Sequence, residues 1–432
     1  MVHSAVSVGI GIGVLVVIYV LLTFEILHRT AAAILGAAVV MILNIAMRFT
    51  DFRTLLEGID LDTILLLMSM MIIVSALSRT GAFDYLASTI LSRFKTKPFA
   101  LTAILSGFTA AVSAFIDNVT TVLLISPVVI EISRRLRIDP RPVLLSIVFA
   151  SNIGGTATLI GDPPNIIIGS VAKLRFMDFI ENLAPIVVVD FFVFLGVMRL
   201  LIRRWLEEYR RSARLDALAE LGVASIEKGL LRRVLVCLGI VIVLFTLEDF
   251  LRYPPAVPAL IGAGLLMALA RKRISIEQVL ADVDWSTLVF FMAMFIVIKG
   301  VEELGVMEFI AYGIVGYAKS LAALLMLILW VSAFTSAFVD NIPFVMVMVP
   351  VISSISAVLA IDPKPLYWSL SLGGCLGGNG TLVGASANVV VAGIADKHGY
   401  HISFKSFMRY GMPVMVATVA VSALYLIIRY AL

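Results

Sequence analysis

Ser113-Ala-Phe-Ile-Asp-Asn118 returns as Ser336-Ala-Phe-Val-Asp-Asn341, 223 positions later. The likeness runs on from there. Residues 113–168 align with 336–391 without a gap, and 22 of the 56 positions are identical. Ile138-Asp-Pro140 matches Ile361-Asp-Pro363, Gly154-Gly155-x-x-Thr158-Leu-x-Gly161 matches Gly377-Gly378-x-x-Thr381-Leu-x-Gly384, and Asn165 matches Asn388. Upstream, at an offset one residue larger, Asp60, Met68, Met70 and Gly81 match Asp284, Met292, Met294 and Gly305. Self-similarity of this extent marks a chain made of two related halves.

Composition names the solvent of those halves. Hydrophobic residues are 61% of the 432 and charged residues 14%, against about a quarter charged in an ordinary soluble domain. One soluble core could not enclose so much apolar surface, so lipid must cover part of it. Stretches long enough for about 30 Å of hydrocarbon occur at 5–24, 31–47, 61–78, 182–202, 229–247, 255–270, 285–300 and 411–430. Four more apolar regions, 98–133, 141–172, 320–357 and 364–396, are interrupted by polar or helix-breaking residues. The only long hydrophilic segment, 203–228, carries Arg203, Arg204, Arg210, Arg211 and Arg214 among acids. It is expected to be a solvent-exposed cytoplasmic linker between a first repeat, 1–202, and a second, 229–432. The first apolar stretch lacks a basic leader and a small-residue cleavage site, so it reads as a retained span. Cys237 and Cys375 lie far apart in apolar segments and offer neither a disulfide framework nor a metal-ligand spacing.

Each half supplies three plain spans, a polar-tipped hairpin, a broken span and a final span. If the hairpin is re-entrant, each half crosses five times, and an odd number inverts the second half. Basic residues test this, because Lys and Arg collect on the cytoplasmic side. In this topology 24 of the 33 lie on the linker side and nine on the other. The expected fold is an all-α polytopic membrane protein: an inverted repeat of five spans each, with two re-entrant helical hairpins and two broken transmembrane helices. Both termini are expected outside a cell inner membrane.

Asp117-Asn118 and Asp340-Asn341 sit between apolar arms of the two hairpins. An Asp at membrane depth costs about 2.5–3.5 kcal/mol even on lenient scales and normally has a partner or a task. Each pair also suits a helix N-cap, which would aim the positive end of the second arm at the membrane centre. Thr120 and Thr121 add hydroxyls in the first copy. The first break reads Asn152-Ile-Gly-Gly-Thr-Ala-Thr158 followed by Gly161-Asp-Pro-Pro-Asn165, and the second runs through Gly377, Gly378, Asn379, Thr381, Gly384, Ser386 and Asn388. Paired glycines and prolines stop a regular helix. Asp162 and Ser386 are expected to cap the resumed helices. Irregular backbone at this depth is tolerated where it lines a cavity, and matched breaks in two inverted halves point to a transport site. Gly154, Gly155, Thr156, Thr158, Gly161, Asp162 and Asn165 are thus candidates beside their counterparts, with free carbonyls suited to Na⁺ near Asp117, Asn118 and Gly155. The glycines are expected to let backbone approach a ligand. Asp190 reads as a partner for a neighbouring helix, with a proton relay as the alternative, Arg79 and Lys299 as snorkelling cations, and Cys375 as a small buried residue, with contact to a soft ligand as the alternative.

The strings Asp117-Asn-Val-Thr-Thr121, Ser151-Asn-Ile-Gly-Gly155 and Ile160-Gly-Asp-Pro-Pro-Asn165 resemble the ion transporter superfamily. Most similar is its citrate-transporter-like branch holding the melanosomal P-protein and the arsenical pump membrane proteins. The resemblance covers essentially the whole chain. It implies two re-entrant hairpins, two broken helices and an elevator-like transport domain against a scaffold, often dimeric. Ile116-Asp-Asn-Val119 differs from the Ala-Asn-Asp-Gly tip of arsenical pumps and from the Ser-Asn-Thr tips of carboxylate carriers. An acid at each tip argues for H⁺ or Na⁺ coupling and against a multiply charged anion. The first expectation is therefore arsenite or antimonite efflux by proton antiport. The alternatives are Na⁺- or H⁺-coupled transport of a citrate-like or inorganic anion, and Na⁺/H⁺ exchange. No cofactor is expected. Intramembrane protease motifs and a phosphate-binding Gly-x₄-Gly-Lys-Ser/Thr are absent from the sequence, so ATP-driven pumping would need a separate ATPase subunit. The net charge of +4 gives no reason to expect nucleic acid.

Overall fold

The computed structural model describes residues 4–24, 26–94, 96–212, 225–251, 253–317 and 320–432. These are helical throughout, without a strand among the described residues. The first half runs α1 (Ala5–Thr23), α2 (Arg29–Met47), α3 (Phe52–Glu57), α4 (Leu61–Ser78), α5 (Ala82–Phe94), α6 (Pro98–Ser113), α7 (Asn118–Leu136), α8 (Arg141–Gly155), α9 (Pro163–Val171), α10 (Phe176–Asn182) and α11 (Ala184–Leu201), followed by α12 (Arg203–Ser212). The second runs α13 (Lys228–Leu251), α14 (Ala256–Ala270), α15 (Ile276–Ala281), α16 (Trp285–Glu303), α17 (Val306–Tyr317), α18 (Leu321–Phe338), α19 (Asn341–Leu359), α20 (Lys364–Gly377), α21 (Ser386–Lys397) and α22 (Phe404–Tyr430). Nine of the described helices are long and apolar enough to cross a membrane.

The order of elements repeats because the local signals repeat. Asp60 accepts from the amides of Asp62 and Thr63 to start α4, and Asp284 accepts from Thr287 to start α16. Gly81 and Gly305 take φ of +71° and +84° where these helices end, a backbone state that favours a residue without Cβ. Arg137 and Ala360, one repeat apart, both close a hairpin arm in the left-handed region. Pro127 and Pro350 interrupt the ladders of α7 and α19 at matching turns.

Packing crosses between the halves. α2 lies on α16 and α4 on α14, so each half lends its third long helix to the second helix of the other. Glycine permits both contacts: a Cβ at Gly300 of α16 would sit 2.2 Å from Val40 Cγ1 of α2, and one at Gly262 of α14 would sit 3.2 Å from Ile73 Cδ1 of α4. Without a hydrophobic drive in lipid, such close approach of small residues supplies the dispersion that holds helices together. The hairpin arms behave likewise, α6 packing on α8 and α18 on α20, while α7 touches α21 and α9 touches α19.

Several expectations need adjustment. The eight plain stretches are α1, α2, α4, α11, α13, α14, α16 and α22, but α22 begins at Phe404 instead of 411. Separate helices α5 and α17 precede the hairpins, and α10 precedes α11. The segment from 203 is not uniformly exposed: Trp205 and Tyr209 of α12 are buried, and the Trp205 indole donates to the Asp139 carbonyl at 2.9 Å. The rest of the expected linker, 213–224, lies outside the described residues.

Candidate transport site

At the first tip, Asp117 caps α7 by accepting from the Thr120 amide at 2.9 Å. Asn118, 5% exposed, takes a 2.5 Å hydrogen bond from Ser113 on its Oδ1, and Ser151 donates to Ser113 at 3.0 Å. The Thr121 hydroxyl turns back to the Ile116 carbonyl. At the second tip Asp340 accepts from the Ile342 amide at 3.1 Å, and Ser336 donates to the Gly374 carbonyl. Asn341 is buried. Both tips are tied to their breaks by the same bond: Thr158 donates to the Ala114 carbonyl and Thr381 to the Ala337 carbonyl.

The breaks fall between Gly155 and Pro163 and between Gly377 and Ser386. There the two asparagines of the repeat act as clasps. Asn165 donates both amide hydrogens into its own break, to the carbonyls of Thr156 (3.1 Å) and Thr158 (2.9 Å). Asn388 does the same to Gly378 (2.7 Å) and Thr381 (2.9 Å). Each then offers its oxygen to the opposite half. Ser371 donates to Asn165 Oδ1 at 2.6 Å, with the Cys375 thiol 3.6 Å away, and Asn152 donates to Asn388 Oδ1 at 3.1 Å and to Asn379 Oδ1 at 2.9 Å. Asn152 and Cys375 occupy equivalent repeat positions, so the exchange is reciprocal in place though not in chemistry. Four of the freed carbonyls, those of Thr156, Thr158, Gly378 and Thr381, thus already carry a donor.

The glycines are used by protein, not only by a cavity. A Cβ on Gly154 would lie 2.2 Å from the Ala110 carbonyl oxygen, and one on Gly377 2.5 Å from that of Ala333. Ala110 and Ala333 are also repeat mates, so each break packs backbone-to-backbone on its hairpin. Gly155 faces Asn118 Oδ1 and the Gly161 carbonyl, Gly161 and Gly384 face the carbonyls of Gly155 and Gly378, and Gly378 faces that of Gly384.

Two capping expectations are corrected. Asp162 stands at the start of α9 but makes no capping bond; its carboxylate is 2% exposed, points among Asn118 and Cys375, and leaves Oδ2 without a partner. Desolvating a carboxylate oxygen without pairing it is costly, which sets Asp162 apart from the tip carboxylates of Asp117 and Asp340. Ser386 is the first residue of α21, not its cap; its hydroxyl donates to Asp340 Oδ2 at 3.2 Å and receives Arg29 at 3.2 Å. Asn152 Oδ1 and Asn379 Nδ2 are further buried atoms without partners. The two tips and the two breaks therefore gather three carboxylates, six amides and a thiol.

Ser113, Ser151, Ser371 and Arg29 were not expected there. Ser113 belongs to the repeated hexapeptide with Ser336, a signal that could have found it; Ser371 faces Val148 in the alignment and carried none. Arg29 donates to Thr287 at 2.7 Å and lies 3.7 Å from Asp284, linking α2 and α16 to the second break. Asp190 is buried and takes a 2.8 Å bond from Ser422 of α22, the neighbouring-helix partner anticipated for it. Arg79 and Lys299 pair with Asp282 (2.6 Å) and Glu303 (2.8 Å).

A bundle of apolar helices with two polar breaks clasped together at its centre defines a multi-pass membrane transporter, not an enzyme. The chain belongs to the citrate transporter family, whose pattern it matches over residues 19–373. It is 40% identical over 415 residues to an uncharacterized transporter of Mycobacterium tuberculosis, covering 95% of this chain and 96% of that one. It is 34% identical over 496 residues to the P protein of Homo sapiens, covering 96% of this chain and 59% of that longer one. Among solved structures, the YdaH transporter of Alcanivorax borkumensis superposes with a TM-score of 0.57 at 13% identity, over 87% of this chain and 86% of that one.

Proposed function

We propose that the protein is a proton-coupled secondary transporter whose substrate is a small, neutral, hydroxylated metalloid species such as arsenite, exported by an elevator-like movement of the two hairpins and breaks against the remaining helices. The observation that carries this reading is the unpartnered Asp162 oxygen beside Asn118 and the Cys375 thiol. A carboxylate with a free oxygen accepts a proton, amides hydrogen-bond hydroxyls, and a thiol suits a soft element. Asp117 and Asp340 flank the same region and add proton-accepting capacity. Neutral cargo fits a site whose own side chains bring acids but no Lys or Arg other than Arg29 at its edge. Inversion of the second half follows from the crossing count and from the basic residues on the linker side, and it puts both hairpin tips at the depth of the breaks.

A second reading, coupled transport of a citrate-like anion, is favoured by the family match and by Arg29 beside Ser386. Everted membrane vesicles separate the two. Saturable arsenite uptake driven by an acid-inside gradient, abolished in Asp162→Asn and unaffected by excess citrate, is the expected result. Citrate uptake without arsenite uptake would overturn the metalloid reading, and unchanged gradient dependence in Asp162→Asn would remove the proton role.

A further inference from the structure

A second polar site, sharing no residue with the breaks, lies where α4 and α14 end and α13 begins. A concavity of about 560 Å³ is lined there by Arg79, Arg233, Lys272 and Arg273, with Glu227, Gln278 and the apolar side chains of Leu230 and Ile274. Four cations face one carboxylate. Glu227 is already engaged by Arg273, and Asp282, just behind, holds Arg79 at 2.6 Å. Arg79 is fixed further by Gln278, whose Oε1 and carbonyl accept at 3.3 and 3.4 Å. Arg273 is seated on Gly229, where a Cβ would come within 3.0 Å of its guanidinium carbon. Arg233 and Lys272 have no hydrogen bond or ion pair among the described residues. Two anchored guanidinium groups and two unengaged cations thus converge from both halves of the chain.

The surroundings say what kind of anion fits. The site opens at the level where apolar spans stop, and beyond it α13 exposes Leu235 and Val236 while α14 exposes Leu265 and Leu269. A soluble anion would use only the charged end of this surface; a phosphate attached to acyl chains would use both. Basic pockets between transmembrane helices recognise anionic headgroups in this way, and guanidinium forks match phosphate oxygens.

We infer that this concavity is a binding site for the phosphate of an anionic phospholipid, with Arg233 and Lys272 as the direct ligands and Arg79 and Arg273 as the fixed rim. Bound lipid would tie the end of α4 to the α13–α14 pair, joining the two halves independently of the transport site.

The test uses the full chain in neutral detergent, with cardiolipin, phosphatidylcholine and inorganic phosphate as separate probes, read by native mass spectrometry and thermal unfolding. Cardiolipin is expected to be retained and to raise Tm, and phosphatidylcholine to do neither. Arg233→Gln with Lys272→Gln should weaken cardiolipin binding about thirtyfold. Arg203→Gln with Arg204→Gln, removing two exposed cations outside the concavity, should leave it unchanged. Equal losses in the two double variants would show diffuse attraction and overturn the site. Stabilisation by inorganic phosphate equal to that by cardiolipin would overturn the lipid assignment.

Discussion

At the scale of single residues, the clasping asparagines do more than a ligand-binding side chain alone would. Asn165→Ala would leave the carbonyls of Thr156 and Thr158 and the hydroxyl of Ser371 without their partner at once. Each buried polar group so stranded costs about 1–3 kcal/mol. Both Asn165→Ala and Asn388→Ala are therefore expected to lower the unfolding temperature of detergent-solubilised protein as well as substrate affinity. A variant with lost affinity and unchanged Tm would mean that water or rearranged backbone replaces the clasp. Much of this was legible beforehand. The tips and breaks stood out because the repeat preserves Asp117, Asn118, Thr158 and Asn165 against a background of exchanged aliphatics. Asp162 was legible as polar, but its direction was not: sequence places a carboxylate at a helix start, where a cap is the default, and only tertiary packing turns it inward. Ser371 and Arg29 act through contacts more than 200 positions away, which no local pattern encodes.

Between elements, glycine marks where helices meet hairpins. Ala at position 154 or 377 would drive its methyl into the backbone of Ala110 or Ala333, and backbone cannot swing aside as a side chain can. Overpacking of this kind costs about 1–3 kcal/mol. Gly393 of α21 has nothing within 4 Å of its Cβ position, so Gly393→Ala should be neutral or stabilising by up to about 1 kcal/mol through helix propensity. Chemical denaturation in mixed micelles is expected to rank Gly154→Ala and Gly377→Ala below the parent and Gly393→Ala level with it or above. Equal tolerance at all three would mean the hairpins ride loosely on the breaks. Element existence was readable because spans are long apolar runs. The starts of α5, α10 and α17 were not, since short helices between longer apolar stretches merge with them in any hydropathy reading.

For the molecule as a whole, the basic residues set the orientation to be tested. With Cys237 and Cys375, both buried, replaced by Ala, single cysteines at Ser4, Arg204 and Leu432 give three exposed reporters. An impermeant maleimide should label the Ser4 and Leu432 positions in intact cells, and Arg204 only after permeabilisation. Labelling of Arg204 from outside would reverse the orientation; opposite accessibility of the two terminal positions would refute an even number of crossings and with it the inverted repeat.

The reciprocal clasp has a consequence for how such a chain is made. Asn152 and its partner Asn388 are separated by 236 residues, which a ribosome adding about 5–20 residues per second needs roughly 10–50 s to complete. During that interval the first break sits in lipid with Asn165 lacking Ser371, and α4 lacks α14. The newborn first half is therefore an orphan inside the bilayer, dependent on the insertion machinery to shield it until its twin arrives. A chain stopped after α12 should be cleared by membrane proteases, however well its individual spans insert.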